Sequence, residues 1–250
     1  MAFINGNSSI VTDKLHYYMD PGSKQSYIGS GTSAGSTVGP VPAGTLGASN
    51  VFSSDNGGIF NFDGATDYLQ VTSDGSTTGF NVNSYTICAW CKPTNLNQIY
   101  YDTILDYSFT SHNPPYYAIH FRGYPTNSPS AQPGKLILAW NSAGSYSANQ
   151  YLLGGDTSTF VSTSWNMYSC TYTNDGSSTT AALYKNGTQL STVTRTQSPP
   201  TYYSQEVWLG KANFATGQYD GGYGPLMFYQ KALTQEEITQ NYNALKYRFE

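Results

Sequence analysis

From Ile59 onward the chain is cut into short β-type runs, each closed by Gly, Pro, Asn, Asp or Ser. Such punctuation makes many short antiparallel strands, because every cluster of turn formers reverses the chain before an extended run can grow. The clearest runs are residues 59–62, 68–72, 84–92, 101–107, 116–122, 135–141, 165–173, 180–185, 188–193, 206–210 and 224–229. Asn186-Gly187 is the strongest hairpin signal, since both residues tolerate the positive φ of a two-residue type I′ turn. Asn174-Asp175-Gly176-Ser177 makes a looser reversal.

One helix stands against this pattern. Thr234 can cap it, Glu237 can reach back to the cap, and Leu233 and Ile238 sit where a hydrophobic staple forms. Ile238, Tyr242 and Leu245 share one face, which predicts a short helix over about 235–245 packed on the strands.

With 250 residues the chain is within reach of a single all-β domain and can bury a large core without a disulfide or metal staple. No fixed-period repeat or linker divides it. Residues 1–54 read as an N-terminal strand around Leu15–Met19 followed by a long Gly/Ser/Thr-rich surface loop over 27–50, and residues 55–250 as the sandwich core. Twenty-three Tyr against eleven Phe point to wet or half-buried aromatic surfaces.

Charge is scarce, at 10% of residues with a net of −4, so there is no basic footprint for nucleic acid and no polybasic patch for lipid. No segment is apolar for long enough to insert in a membrane. Residues 1–7 lack a positive region followed by an apolar one, so the expectation is folding in the cytoplasm. An odd count of three Cys fits reduced thiols in that compartment.

Four segments then fall in a familiar order. Gly58-Ile59-Phe60-Asn61-Phe62-Asp63-Gly64 with Asp67-Tyr68-Leu69, Ser84-Tyr85-Thr86-Ile87-Cys88-Ala89-Trp90, the hairpin from Trp165 to Gln189, and Gly224-Pro225-Leu226 through Leu233-Thr234 resemble the laminin-G-like (pentraxin-like) domains of the concanavalin A-like superfamily. The resemblance covers roughly residues 55–250. It implies an all-β, two-sheet antiparallel jelly-roll sandwich with one short C-terminal helix, and Trp90 and Trp165 at least partly buried. It fixes no single function, because this fold hosts lectins, enzymes, adhesion modules and structural virion proteins.

The residues argue against catalysis. Enzymes of this fold pair two acids on one strand, and retaining chemistry needs them about 5–5.5 Å apart. Asp102 and Asp106 are four apart on one run, roughly 13 Å along a strand, and read as two sheet-end carboxylates. Cys88 and Cys91 point to opposite faces of a strand, and with Cys170 read as buried, inert thiols. His16, His112 and His120 have no evident partners.

No cofactor is expected from the residues themselves. The resemblance raises calcium, for which Asp63, Asp67, Asp156 and Asp220 are loose candidates. The segment Leu209-Gly210-Lys211-Ala212-Asn213, however, lacks the carboxylates of the pentraxin-like pattern.

The aromatic doublets are the most suggestive contact candidates: Tyr100-Tyr101, Tyr116-Tyr117 after Pro114-Pro115, and Tyr202-Tyr203 after Pro199-Pro200. Rigid tyrosines of this kind stack on sugar, pack on another protein, or turn one ring inward. Three functions follow. The first is a non-enzymatic structural protein of a viral (phage) particle, such as a head-decoration, spike or tail-associated subunit. It would be assembled in the host cytoplasm, docked on other virion proteins through chain ends and long loops, and homo-oligomeric. The second is a carbohydrate-binding lectin or adhesin for host recognition. The third is a glycan-cleaving enzyme, for which the acidic residues supply no pair.

Overall fold

The turn residues reverse the chain where their chemistry places them. Asn186 and Gly187 adopt φ of 51° and 80°. The Asn186 side chain also accepts from the Met167 backbone N–H at 2.9 Å, which ties the hairpin tip to the neighbouring strand. The computed structural model describes residues 9–72, 79–94, 101–109, 113–122, 135–141, 150–153, 163–197, 206–212 and 218–250.

These residues form sixteen strands: β1 (Leu15–Met19), β2 (Ser33–Ala34), β3 (Gly44–Leu46), β4 (Phe52–Ser53), β5 (Ile59–Asp63), β6 (Leu69–Thr72), β7 (Ser84–Pro93) and β8 (Tyr101–Phe109). There follow β9 (Asn113–Arg122), β10 (Lys135–Asn141), β11 (Gln150–Leu153), β12 (Asn166–Asn174), β13 (Ser178–Lys185), β14 (Thr188–Thr196), β15 (Glu206–Leu209) and β16 (Asp220–Tyr229). One helix, α1 (Gln235–Leu245), comes last.

Two antiparallel sheets result, as expected of a jelly-roll sandwich. The first runs β14-β13-β12-β7-β16-β5-β4, and the second β11-β10-β9-β8-β15-β6-β3-β2. In the first sheet β16 pairs along one edge with β7. Its other edge is shared: residues 220–223 take β5 and residues 226–229 take β1.

Alternation along the strands sorts the side chains. Phe60, Phe62, Ile87, Ala89, Cys170, Leu183, Tyr223 and Phe228 point between the sheets, where they meet Leu69, Leu105, Leu138, Trp140, Val207 and Leu209. The opposite face of the first sheet, with Ile59, Cys88, Trp90, Met167 and Tyr229, is covered by Leu233, Ile238, Leu245 and Phe249. Covered on both faces, β7 is buried at nearly every position and loses the polar–apolar alternation of a half-exposed strand.

The helix begins as its sequence dictates. Thr234 Oγ1 accepts from the Glu237 N–H at 3.3 Å, and the Thr234 N–H donates to Glu237 Oε2 at 2.9 Å. Asn241, on the buried side of α1, is fully enclosed. Its Oδ1 accepts from the Val11 N–H at 2.8 Å and its Nδ2 donates to Tyr229 Oη at 3.0 Å. Tyr229 Oη in turn donates to the Val11 carbonyl at 2.9 Å, so the buried polar groups satisfy one another.

Two expectations are corrected. Residues 27–50 are exposed for much of their length but are not loop throughout: β2 and β3 form one edge of the second sheet, and Tyr27, Ala34, Val41 and Leu46 are core residues. The tyrosines whose side chains are described are not mainly surface groups either, since nine of them are less than 2% exposed. The hydroxyls of Tyr27, Tyr219, Tyr223 and Tyr229 find backbone acceptors, as where Tyr223 Oη bridges to the Ile104 carbonyl of the facing sheet at 2.9 Å. The four-residue β11 is an addition, too short and too polar at its start to stand out in the sequence.

Candidate functional site

Across β5, β16 and β7, Asn61, Gly222 and Lys92 stand opposite one another. Trp165, the residue before β12, extends this row. A Cβ on Gly222 would sit 2.7 Å from Cζ2 and Cη2 of Trp165, so the bare glycine is what lets the indole lie over β16. The position of Gly222 is fixed from below by Tyr219 Oη, which donates to its carbonyl at 3.0 Å. Trp165 leans on Phe249 at 4.8 Å between centroids, and Phe249 stacks on the buried Trp90 at 4.4 Å.

A 3-10 turn at Asp55–Gly57 makes the opposite wall. Asn56 holds the left-handed region at φ 51°, uncommon for a residue with a side chain. Arg248 keeps it there, donating from Nε to the Asn56 carbonyl at 3.0 Å and from Nη2 to the Gly58 carbonyl at 3.1 Å. Asn56 Nδ2 returns a bond to the Arg248 carbonyl at 2.6 Å, and the guanidinium is anchored by Nη1 on Asp20 Oδ2 at 2.8 Å. Between the turn and the indole lies a pocket of about 450 Å³ with Asp55, Asn61, Lys92, Thr94 and Thr163 among its polar lining. An aromatic wall with convergent polar groups from separate elements is the make-up of a small-ligand seat.

A second aromatic group, on the outer side of the second sheet, is closed. Tyr68 and Trp208 meet edge to face at 5.1 Å, and Lys211 Nζ covers both rings at 4.5 and 4.7 Å. Trp208 is accordingly buried and donates from Nε1 to Glu206 at 3.1 Å.

Of the contact candidates, Tyr100, Tyr202 and Tyr203 lie outside the described residues. Tyr116 and Tyr117 fall in β9, opposite Asn141 and Trp140 of β10. The partly exposed aromatic that the fold brings to the pocket, beside the buried Phe62, is Trp165, which the sequence marks only as the opening of a hairpin motif. The Gly221-Gly222 pair is the local sign of a flat approach, but its partner lies 57 residues earlier in the chain.

The acidic residues resolve in three ways. Asp106 is 1% exposed in the interior of β8, opposite Trp208 and Ala118, and is not a sheet-end carboxylate. Asp102 opens the same strand, opposite Phe121. Asp63, Asp67 and Asp220 approach one another where β5 meets β16, but the donor set does not fit a cation. Asp63 Oδ1 already accepts from the backbone N–H groups of Ala65, Thr66 and Asp67, and Oδ2 from the Thr66 hydroxyl. Asp67 Oδ2 accepts from the Asp63 N–H at 3.1 Å. Among the described residues no three His, Cys, Asp or Glu side chains gather to hold a metal ion, and Asp156 lies outside them.

Burial alone would raise the Asp63 pKa, but the converging N–H groups outweigh it and hold the carboxyl at about 2. Asp67 moves the other way, raised first by burial and then by the charge of Asp63. A carboxyl lowered by folding stabilises above its ordinary pKa of 3.8, and that contribution is lost as pH falls towards 2. Asp63 is exposed, so solvent screens part of this effect, and Asp63→Ala is expected to cost only about 1 kcal/mol at pH 7. The gap from wild type should narrow below pH 4 in urea melts across pH; a gap independent of pH would show that the charge plays no part.

Cys88 faces α1 and Cys91 and Cys170 face the core; all three are free thiols. Burial pushes the Cys88 thiol up to about 11 and the other two higher still, which leaves them chemically quiet.

With this geometry in hand, comparison with known proteins is informative about the fold. A sequence model of the concanavalin A-like lectin/glucanases superfamily, of laminin-G type, matches residues 63–239. No curated protein matches the chain. Among solved structures it is similar to domain 4 of AbnA, a GH43 extracellular arabinanase from Geobacillus stearothermophilus, in complex with arabinotriose. The TM-score is 0.63 at 17% identity, over 91% of this chain and 98% of that one. It is also similar to the CBM40 of the Ruminococcus gnavus IT-sialidase bound to α2,3-sialyllactose, with a TM-score of 0.56 at 14% identity over 72% and 94%. The binding domain of botulinum neurotoxin serotype D/C gives 0.63 at 13% identity, over 94% of this chain and 53% of that one. Identities this low speak for the fold alone, but the family match spans well over half of the sequence. By that match, and by its two-sheet jelly-roll sandwich, the chain belongs to the concanavalin A-like lectin/glucanase superfamily.

Proposed function

We propose that the protein is a non-catalytic glycan-binding module whose sugar seat is the pocket beside Trp165. The observation that carries this reading is the partly exposed indole held over Gly222, facing a rim of hydroxyl, amide and charged side chains. Sugars present an apolar C–H face ringed by hydroxyls, and an aromatic wall with polar neighbours matches both. That similar solved domains are described with arabinotriose and sialyllactose supports the reading. Binding without cleavage follows from the acids, since Asp55 is the one carboxylate among the described lining residues and glycoside hydrolysis uses two.

Trp165→Ala is expected to weaken glycan binding at least about tenfold, because a buried aromatic anchor typically dominates a contact of this size. A glycan array followed by titration of the strongest ligand tests it. Binding unchanged in that variant moves the seat elsewhere.

The finer placement we propose is on a viral (phage) particle, as a decoration, spike or tail-associated subunit displaying this domain as a homo-oligomer. Its support is the charge-poor composition of the chain, rich in Gly, Ser, Thr, Asn and Tyr. Mass spectrometry of purified particles tests this placement, and particles without the protein leave the free lectin.

A further inference from the structure

We infer that the sugar held in this pocket carries a carboxylate, and that Lys92 recognises it. The inference rests on the glycan reading above and deepens it. Lys92 is exposed in the pocket, projecting from the face of β7 opposite the buried Cys91. The ion pairs among the described residues use Lys231 with Asp13 and Glu237, and Arg248 with Asp20. Lys92 takes no part in them, and Asp55, the carboxylate of the same pocket, lies beyond ion-pair distance. Among the described residues, therefore, no side chain of the pocket pairs with the Lys92 ammonium.

That charge stands beside the aromatic wall. Lys92 Cβ lies 3.6 Å, and the Trp165 rim 2.7 Å, from the same point, the missing Cβ of Gly222. A pyranose or furanose laid with its C–H face on the indole thus brings an edge substituent to the lysine. A neutral hydroxyl there would gain an ordinary hydrogen bond. A carboxylate gains a charge-assisted one, roughly twice as strong. Asn61, Thr94, Thr163 and Asp55 remain for the hydroxyls, with Asp55 accepting from them.

The test uses the whole 250-residue chain on an array of matched pairs: sialyllactose with lactose, and oligogalacturonate with its methyl ester. The carboxylated member of at least one pair should bind roughly 10- to 100-fold more tightly. This ratio should shrink as NaCl is raised, since an exposed charge is screened. Lys92→Gln should bring the ratio close to one while leaving the melting temperature unchanged, and Trp165→Ala should weaken both members. Equal binding of the two members that depends on Trp165 overturns the carboxylate inference and leaves the glycan seat in place. A carboxylate preference that survives Lys92→Gln removes the role given to Lys92. Absence of any Trp165-dependent binding overturns the seat and the inference together.

Discussion

A chain lacking residues 33–48 is expected to show no cooperative thermal transition. The deletion removes β2 and β3, the two strands that complete the second sheet beyond β6. With them go the pairings Thr45 to Gln70 and Leu46 to Leu69, and the bonds from the Thr37 N–H to the Tyr18 carbonyl and from the Gly47 N–H to the Tyr68 carbonyl. Val41 and Leu46 leave the core, each worth about 2–4 kcal/mol when truncated in place, and the flank of Leu69 and Val71 opens to water. The sum approaches the whole stability of a typical domain, about 5–15 kcal/mol. Near-UV circular dichroism during heating reads the outcome directly. A sharp transition within a few degrees of the full chain would mean that β6 serves well enough as an edge.

Arg248→Ala should cost about 3–5 kcal/mol, the usual loss when one member of a buried ion pair is removed. The Arg248 and Asp20 side chains are 11% and 12% exposed. Asp20 would keep its bonds from the Gly22 N–H and the Tyr18 hydroxyl but lose its cation. The carbonyls of Asn56 and Gly58 would lose their donors at the same time. Urea unfolding of Arg248→Ala beside the double variant with Asp20→Asn separates the causes. The double variant should recover part of the loss, because no unpaired charge then stays behind. Arg248→Lys should fall between, since one ammonium cannot serve three acceptors at the fork spacing. A loss below about 1 kcal/mol would place this pair with ordinary surface bridges. The same variant frees the turn at Asn56, so glycan affinity should fall with it.

The parts of the fold legible in the sequence are those decided by neighbours in the chain. The Asn186-Gly187 turn needs two positive φ values, and the α1 start needs Thr234 and Glu237 three residues apart. Both are local conditions, and both are met. Residues 27–50 escape this logic because their buried side chains, Tyr27, Ala34, Val41 and Leu46, are spaced by Gly, Ser, Thr and Pro and show no period. The tyrosines mislead for a related reason. A hydroxyl suggests water, yet Tyr223 finds its acceptor in Ile104, which is 119 residues away.

The candidate seat was less legible still. The doublets draw attention because they are contiguous, whereas the pocket is assembled from the turn at Asp55, the end of β7, the approach to β12 and the start of β16. Its second wall depends on Arg248 meeting Asp20 across 228 residues. Nothing in the composition around either residue signals the other.

The shared edge of β16 has a consequence for how the protein is made. β1, β5 and β7 all emerge from the ribosome long before the strand that joins them. At roughly 5–20 residues per second, residues 15–19 wait about ten to forty seconds for residues 226–229. During that interval β7 and β5 hold open edges that any nascent neighbour could pair with. Crowded synthesis should thus favour misjoined sheets, and slower initiation or a holding chaperone should raise the yield of correctly closed domains.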